Sequence, residues 1–170
     1  VSHITKAVIV ESTPGEGALL WLPVGRELLI DHLLRVLSQH GIKEVAIITS
    51  EAIEGMSELI ARIKEEQAIA VMWKVAPSYC GTAGSLKLVQ EFLHDPQFVV
   101  VQSNLYLKGL HLRDMMLAHQ QLHPQKSLSG VDAGVIDIAL VVGGLQERAQ
   151  ARFGQWHRPG LGERIHAAVA

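Results

Sequence analysis

Residues 7–10 have the sequence Ala7-Val8-Ile9-Val10, a short and wholly apolar run. Similar runs, rich in β-branched residues, follow at positions 45–49, 69–73 and 98–101. Runs of this length and composition are typical of strands that are buried on both faces, as in parallel sheets covered by helices. We therefore predict four parallel strands at these positions and a fifth over 135–142.

Amphipathic segments separate the apolar runs. Apolar residues recur at helical spacing over 29–37, and a second stripe of this kind covers 56–63. Further helices are predicted over 82–93 and 112–122, where turn-forming residues follow the apolar pattern, and over 160–170. The alternation of strands and helices predicts a three-layer α/β/α fold with a mostly parallel, doubly wound sheet.

The composition is that of one globular domain. The chain has 170 residues, with 15 Lys or Arg against 17 Asp or Glu, and a single cysteine, Cys80. A net charge of −2 gives no basic field for a phosphate backbone, so we expect no nucleic-acid partner. One cysteine cannot form an internal disulfide, which is typical of a reducing cytosol. No apolar run approaches the roughly 20 residues that are needed to span a bilayer, and the first residues lack the apolar stretch of a signal peptide. We therefore expect a cytoplasmic protein that does not bind membranes.

The loop after the first strand, residues 11–18, is rich in small residues and glycine. Gly15 and Gly17 would let backbone N–H groups approach an anionic ligand, as phosphate-binding loops require. The alternative is a flexible surface turn. The loop has neither the dinucleotide-binding fingerprint nor the lysine of a P-loop, which excludes the two best-known phosphate motifs.

The segment after the third strand is also rich in glycine. Gly81 leads into the third predicted helix, and Thr82 offers a hydroxyl for capping its first turn, an arrangement that suits a base edge or an anion. The alternative is a capped helix whose glycines allow close packing on the sheet. Tyr79, just upstream, is a candidate for stacking on a base.

Asn104 follows the fourth strand, at a point where a nucleotide enzyme with a parallel sheet would place a metal-binding carboxylate. Its amide offers only a neutral oxygen, which is a poor ligand for a hard cation such as Mg²⁺. A turn position is the alternative role. Two carboxylates of the first loop, Glu11 and Glu16, are interpreted as solvated loop charges, and the alternative is that they substitute for the missing carboxylate.

Taken together, these segments resemble the sugar-1-phosphate nucleotidyltransferases, also called nucleoside-diphosphate-sugar pyrophosphorylases. The closest match is Gly81-Thr82-Ala83-Gly84-Ser85-Leu86, in a segment that contacts the nucleotide base in this family. The other matching segments are residues 6–17, 20–32, 41–45, 131–135 and 156–164. The similarity covers most of the chain, strongly to about position 121, and it implies a nucleotidyltransferase-like, Rossmann-like version of the predicted fold.

The resemblance implies a domain organisation and a set of site residues. It implies one domain over 1–170, with a nucleotide-binding half at 1–124 and a shortened sugar-side half at 125–170. The expected nucleotide-binding residues are Gly15, Gly17, Gly81 and Thr82, and the expected sugar-binding residues are Asp132 and Gly134. The implied ligands are a nucleoside triphosphate or a sugar nucleotide, and the implied protein partners are a second copy of the chain or an active paralogue.

The chain departs from the pattern of the family at several positions, since a loop Thr-Arg pair falls on Ala18-Leu19 and Asp132 stands where an amide is usual. In the family, a sugar phosphate oxygen attacks the α-phosphorus of a nucleoside triphosphate beside Mg²⁺ held by two aspartates. The resemblance places these aspartates at Asn104 and Arg158, so we assign no catalytic and no metal-binding residue. Mg²⁺ is expected for the family, and both substitutions argue against it here. We therefore predict a nucleotide or sugar-nucleotide binding or regulatory module with lost or weakened catalysis. The alternative is an active nucleotidyltransferase that makes a nucleoside-diphosphate sugar.

Overall fold

The computed structural model describes residues 4–11, 13–93, 98–107, 112–117, 140–142 and 168–169. The helices are α1 (Leu29–Gln39), α2 (Met56–Glu66), α3 (Gly81–Leu88) and α4 (112–117), with a 3-10 helix at Glu16–Trp21. The strands are β1 (Lys6–Val10), β2 (Pro23–Val24), β3 (Glu27–Leu28), β4 (Glu44–Thr49), β5 (Ala70–Val75), β6 (Val99–Gln102), β7 (Leu140–Val142) and β8 (Ala168–Val169). Within the described residues, no helix has the length and apolar character needed to cross a membrane.

A six-stranded sheet forms the centre of the molecule, with strand order β5-β4-β1-β6-β7-β8. All its neighbouring strands pair in parallel. From β1, the chain first adds β4 and β5 on one side of the sheet and then adds β6, β7 and β8 on the other side. The direction in which strands are added therefore reverses between β1 and β6. In doubly wound sheets the ligand crevice lies at this reversal, beyond the carboxyl ends of the two strands.

Both faces of the sheet are covered, as the apolar runs predict. Ala7 and Ile9 of β1 face a cluster that includes the buried sides of α1 and α2. Val8 and Val10 face the opposite cluster, to which Val89 and the rest of the α3 segment contribute. This alternation follows from the period of two along a strand. It confirms the predicted three-layer α/β/α fold with a mostly parallel sheet.

The 3-10 helix and the β2–β3 hairpin are additions that the sequence does not predict. The hairpin pairs Pro23 with Leu28 and Val24 with Glu27, and Gly25 at its turn has a φ of 67°. Two-residue strands and a six-residue 3-10 helix are too short to give a periodic apolar pattern. The 3-10 helix begins within the first loop, at Glu16, and the hairpin lies between it and α1.

The predicted third helix is wrong at its end, because α3 stops at Leu88 instead of continuing to position 93. Its last turn tightens, and the N–H of Phe92 donates to Val89 at 2.9 Å. The Leu88 carbonyl, which would otherwise accept from that amide, accepts instead from Lys74 Nζ at 2.9 Å. A lysine from the neighbouring strand thus caps the carboxyl end of α3.

The other late predictions fall partly outside the described residues. Helix α4 is described for 112–117 of the predicted 112–122, and β7 for 140–142 of the predicted 135–142. The predicted helix over 160–170 is wrong at Ala168–Val169, which pair with β7 as an edge strand. Ladder hydrogen bonds with β7 here outweigh the helix preference of an alanine-rich segment. The division of the chain at position 124 stays a prediction.

Candidate functional site

The candidate site is the crevice at the carboxyl ends of β1 and β6, where the strand order reverses. The first loop borders it on one side, and the turn after β6 borders it on the other. A side-chain contact joins the two sides, since Asn104 Nδ2 donates to Glu16 Oε1 at 3.2 Å. Two segments 88 positions apart in the sequence therefore meet at the predicted location.

Glu11, the residue directly after β1, is buried with 3% exposure. Its Oε1 accepts from the Gly17 amide at 2.8 Å, and its Oε2 accepts from the Ser50 amide at 3.0 Å. Two N–H donors compensate the carboxylate for lost hydration, which is why it can be buried. The interpretation of Glu11 as a solvated charge is therefore wrong: it fastens the first loop to the end of β4.

The two glycines of the first loop differ in their surroundings. At Gly17 an added Cβ would lie 2.6 Å from Glu11 Oε1 and 2.9 Å from Thr49 Cγ2, so a side chain has no space there. Gly15 is exposed, has a φ of 81°, and its amide donates to Ser50 Oγ at 3.2 Å. Gly17 thus permits close packing, whereas Gly15 permits a left-handed turn. Nucleotide binding by either residue stays a prediction.

Glu16 accepts a hydrogen bond from its own loop as well as the one from Asn104. Its Oε2 accepts from the Thr13 amide at 3.0 Å, a bond that closes the turn before the 3-10 helix. The amide of Glu16 donates to Thr13, and the amide of Ala18 donates to Gly15, both through main-chain carbonyls at 3.3 Å. With Gly15 and Gly17 included, every N–H described between positions 13 and 18 donates to an oxygen of the chain itself. Glu16 is half-buried and is not a simple solvated charge.

The first N–H groups of α3, like those of any α-helix, have no partner within the helix itself. The helix begins at Gly81 with Cys80 as its N-cap residue, and it has no side-chain cap hydrogen bond. The prediction that Thr82 caps the helix is wrong, because Thr82 is already its second residue and its hydroxyl lies past the capping position. Ser85 Oγ donates to the Gly81 carbonyl at 2.9 Å, a bond within the first turn that uses none of its N–H groups. Binding by Gly81 and Thr82 stays a prediction.

Tyr79 connects the α3 start to the first loop electrostatically. Burial raises the pKa of Tyr79, and the negative charges of Glu16 and Glu11 raise it further. The side chain is nevertheless 38% exposed. The loop after β5 therefore lies near the two carboxylates, and the potential around them is negative. Three loops, those after β1, β5 and β6, surround the crevice.

The described residues do not fit a divalent cation. Among them there is no group of three or more His, Cys, Asp or Glu side chains that could hold a metal. Both oxygens of Glu11 and both of Glu16 already accept N–H groups. Asn104 contributes a neutral amide, and hard cations need several oxygen ligands, usually with charge.

Three residues singled out in the sequence lie outside the described residues. They are the two expected sugar-site residues Asp132 and Gly134, together with Arg158. The residues that sequence reasoning undervalued are Glu11 and Glu16. Two sequence signals were available for them: Glu11 directly follows the first predicted strand, and Glu16 lies three residues after Thr13.

A family model described as nucleotidyl transferase matches residues 20–133 of the chain, more than half of its length. The chain belongs to the nucleotidyl transferase family. This confirms the predicted family. The match includes the α3 start and Asn104, and it begins after the first loop.

A solved structure described as a glucose-1-phosphate thymidylyltransferase from Bacillus anthracis, in complex with a sucrose, has a similar fold. Its TM-score is 0.55 and its sequence identity is 22%, over 68% of this chain and 51% of that chain. The chain therefore spans about half the length of this solved structure. A search of curated proteins gave no match. At this identity the similarity establishes the nucleotidyltransferase fold, consistent with the parallel sheet and its crevice.

Proposed function

We propose that this chain is a nucleotide- or sugar-nucleotide-binding module of the nucleotidyl transferase family with lost or weakened turnover. The observation that carries the proposal is the Glu16–Asn104 hydrogen bond of 3.2 Å across the crevice. It places a carboxylate and a neutral amide in contact where a nucleotide enzyme of this architecture gathers metal ligands. This contact supports a nucleotide site whose distribution of charge differs from that of an active enzyme.

Nucleotide binding is supported by the three loops at the crevice. The uncapped first turn of α3 directs N–H groups and the positive end of the helix dipole outward, which favours a phosphate or a base edge. Tyr79 stands beside it, 38% exposed, and can stack on a base. We place the nucleotide against Gly81 and Thr82, and the sugar against Asp132 and Gly134.

Weakened turnover is supported by the demands of the chemistry. When a sugar phosphate oxygen attacks the α-phosphorus of a nucleoside triphosphate, pyrophosphate leaves, and the protein contributes position and charge neutralisation. The oxygens of Glu11 and Glu16 already accept N–H groups, so these carboxylates are poorly placed to hold the Mg²⁺ that would neutralise phosphate charge. The described crevice therefore supplies little of the electrostatic stabilisation that the transfer needs.

An assay of pyrophosphate release tests the catalytic part of the proposal. The chain is mixed with each nucleoside triphosphate, a panel of sugar 1-phosphates and Mg²⁺. We expect a rate at least about a thousandfold below the median enzymatic turnover of about 10 s⁻¹. Release at an ordinary enzymatic rate would identify an active sugar nucleotidyltransferase, the alternative reading, and would end the proposal of lost turnover.

Titration calorimetry with nucleotides and sugar nucleotides tests the binding part. Thr82→Ala should weaken binding, and Thr5→Ala, a matched change just before the amino end of β1 and away from the crevice, should not. If no nucleotide or sugar nucleotide binds, the ligand-binding function is wrong. An assembly role with a second copy of the chain or an active paralogue would then be the remaining function, to be sought by sedimentation.

A further inference from the structure

In a phosphate-binding loop, backbone amides donate to the phosphate oxygens of the ligand. In the first loop of this chain, side-chain oxygens already accept from the amides. Three of its amides, those of Thr13, Gly15 and Gly17, donate to side-chain oxygens at 3.0, 3.2 and 2.8 Å. Two of these acceptors are carboxylates, Glu16 and Glu11. Loops of this kind bind phosphate by presenting such amides to its oxygens. Here no described amide of the loop remains for that purpose.

We propose that Glu16 and Glu11 occupy the positions of phosphate oxygens in this loop, and that the crevice therefore selects nucleotides with few phosphates. This inference rests on the proposed nucleotide-binding function and names its ligand class. The expected order of affinity for one base is monophosphate, then diphosphate, then triphosphate. An uncharged sugar on a diphosphate adds no further repulsion, so a sugar nucleotide belongs with the diphosphate.

The two carboxylates differ in how firmly they are held. Glu11 is fully buried between the first loop and β4, and its removal would loosen the loop itself. Glu16 is half-buried and reaches Asn104 on the far side of the crevice. Glu16 is thus the residue that both closes the crevice and faces an incoming ligand. It is the specificity-determining residue in this inference.

The surroundings of Glu16 carry negative potential. The charges of Glu16 and Glu11 both act on the Tyr79 hydroxyl and raise its pKa, after the larger effect of burial. Each additional phosphate on a ligand that extends from α3 toward the first loop meets this potential. At partial exposure, repulsion between charges several ångströms apart reduces affinity by about tenfold. The α3 start, which lacks a side-chain cap, remains favourable to a single phosphate.

The test is calorimetry on the full chain with the mono-, di- and triphosphates of the five common nucleosides, in chelator and without divalent cations. Glu16→Gln removes the charge and keeps the size of the side chain. It should raise triphosphate affinity about tenfold and leave monophosphate affinity within about twofold. The matched control is Glu65→Gln, which removes one exposed charge near the carboxyl end of α2, just before the amino end of β5 and away from the crevice, and should change neither affinity.

A salt titration of the unaltered protein gives a second measurement that needs no variant. Salt screens repulsion, so triphosphate affinity should rise with ionic strength relative to monophosphate affinity. Tighter binding of the triphosphate than of the monophosphate, or no gain from Glu16→Gln, overturns the inference and leaves nucleotide binding intact. Failure of both proteins to bind any nucleotide removes the proposed function, and the inference with it.

Discussion

The imidazole of His32 lies almost parallel to the phenol ring of Tyr106, with centroids 4.2 Å apart and 11° between the ring planes. His32 belongs to the buried face of α1, and Tyr106 follows β6. His32 Nε2 is also 2.8 Å from the carbonyl oxygen of Leu107, so this nitrogen must donate. His32 therefore contacts the segment that leaves the crevice after β6 through both a stacked ring and a hydrogen bond.

A double-mutant cycle should measure this contact. His32→Ala is expected to cost about 2 to 3 kcal/mol of unfolding free energy, because it removes a buried hydrogen bond as well as the stacking. Tyr106→Ala should cost about 1 kcal/mol, and the coupling between the two should be about 1 kcal/mol. Urea denaturation of both single variants and the double variant gives these values.

The matched control uses Tyr79, a tyrosine that is not stacked on His32 and is 38% exposed against 51% for Tyr106. Tyr79→Ala combined with His32→Ala should give additive losses. Equal coupling for both tyrosines would show that the stacked geometry has no energetic effect of its own.

Acid should remove the stabilisation that Glu27 provides. Arg35 donates to Glu27 through Nη2 and through Nε at 3.2 Å, and this hydrogen bonding is the main cause of a lowered Glu27 pKa. A carboxyl whose pKa is lower in the folded state stabilises the fold above its unfolded pKa of about 4.3, and loses that effect as pH falls through the folded value. Because the pair is partly exposed, the contribution is about 1 kcal/mol or less.

The measurement is the stability difference between the unaltered protein and Glu27→Gln as a function of pH. The difference should be constant above about pH 5 and shrink as pH falls below about 4. Glu66→Gln is the control, since Glu66 forms an exposed contact of 3.7 Å with Arg62. The free energy of unfolding of that variant should stay within a few tenths of a kcal/mol of the value for the unaltered protein. A difference for Glu27→Gln that persists unchanged in acid would contradict the lowered pKa.

The first-loop glycines should respond differently to the same substitution. Gly17→Ala places a methyl group 2.6 Å from Glu11 Oε1, against buried neighbours, and should cost about 3 kcal/mol. Gly15→Ala meets no atom within 4 Å and should cost only about 1 kcal/mol, for the left-handed backbone. Thermal unfolding of the two variants provides the comparison, and equal losses would show that the Gly17 contact relaxes freely.

These glycines also show how far the sequence could predict the site. The apolar runs and helical stripes were sufficient for the sheet and its layers, because periodicity reports burial directly. The positions of the loops followed from strand order. The hydrogen bonds of Glu11 could not be predicted, since a glutamate after a strand looks the same whether its carboxylate meets water or two amides. The donors of those bonds, at Gly17 and Ser50, come from separate segments.

Tyrosinate absorbance should report the negative potential of the crevice. The chain has two tyrosines, so Tyr106→Phe leaves Tyr79 as the only one. In that background Tyr79 should ionise above the ordinary value of about 10, because burial and then the charges of Glu16 and Glu11 raise its pKa. Because the pKa is raised in the folded state, the contribution of Tyr79 to the free energy of unfolding is fully present below the unfolded value of about 10. It is lost as pH rises through the folded value. Adding Glu16→Gln should move the titration downward, and an unchanged titration would place Glu16 too far away to matter.

The contact between Asn104 and Glu16 predicts the effect of restoring a carboxylate after β6. Asn104→Asp would replace a donated hydrogen bond of 3.2 Å with two facing carboxylates, which should cost about 1 kcal/mol of stability at neutral pH. A divalent cation that binds only the folded protein would reverse this loss by mass action. We therefore expect Mg²⁺ to raise the melting temperature of Asn104→Asp and to leave that of the unaltered protein unchanged. Asn104→Ala, which removes the amide without adding charge, should show no response to Mg²⁺. If the unaltered protein is itself stabilised by Mg²⁺ at millimolar concentration, its crevice holds a cation through residues other than this pair.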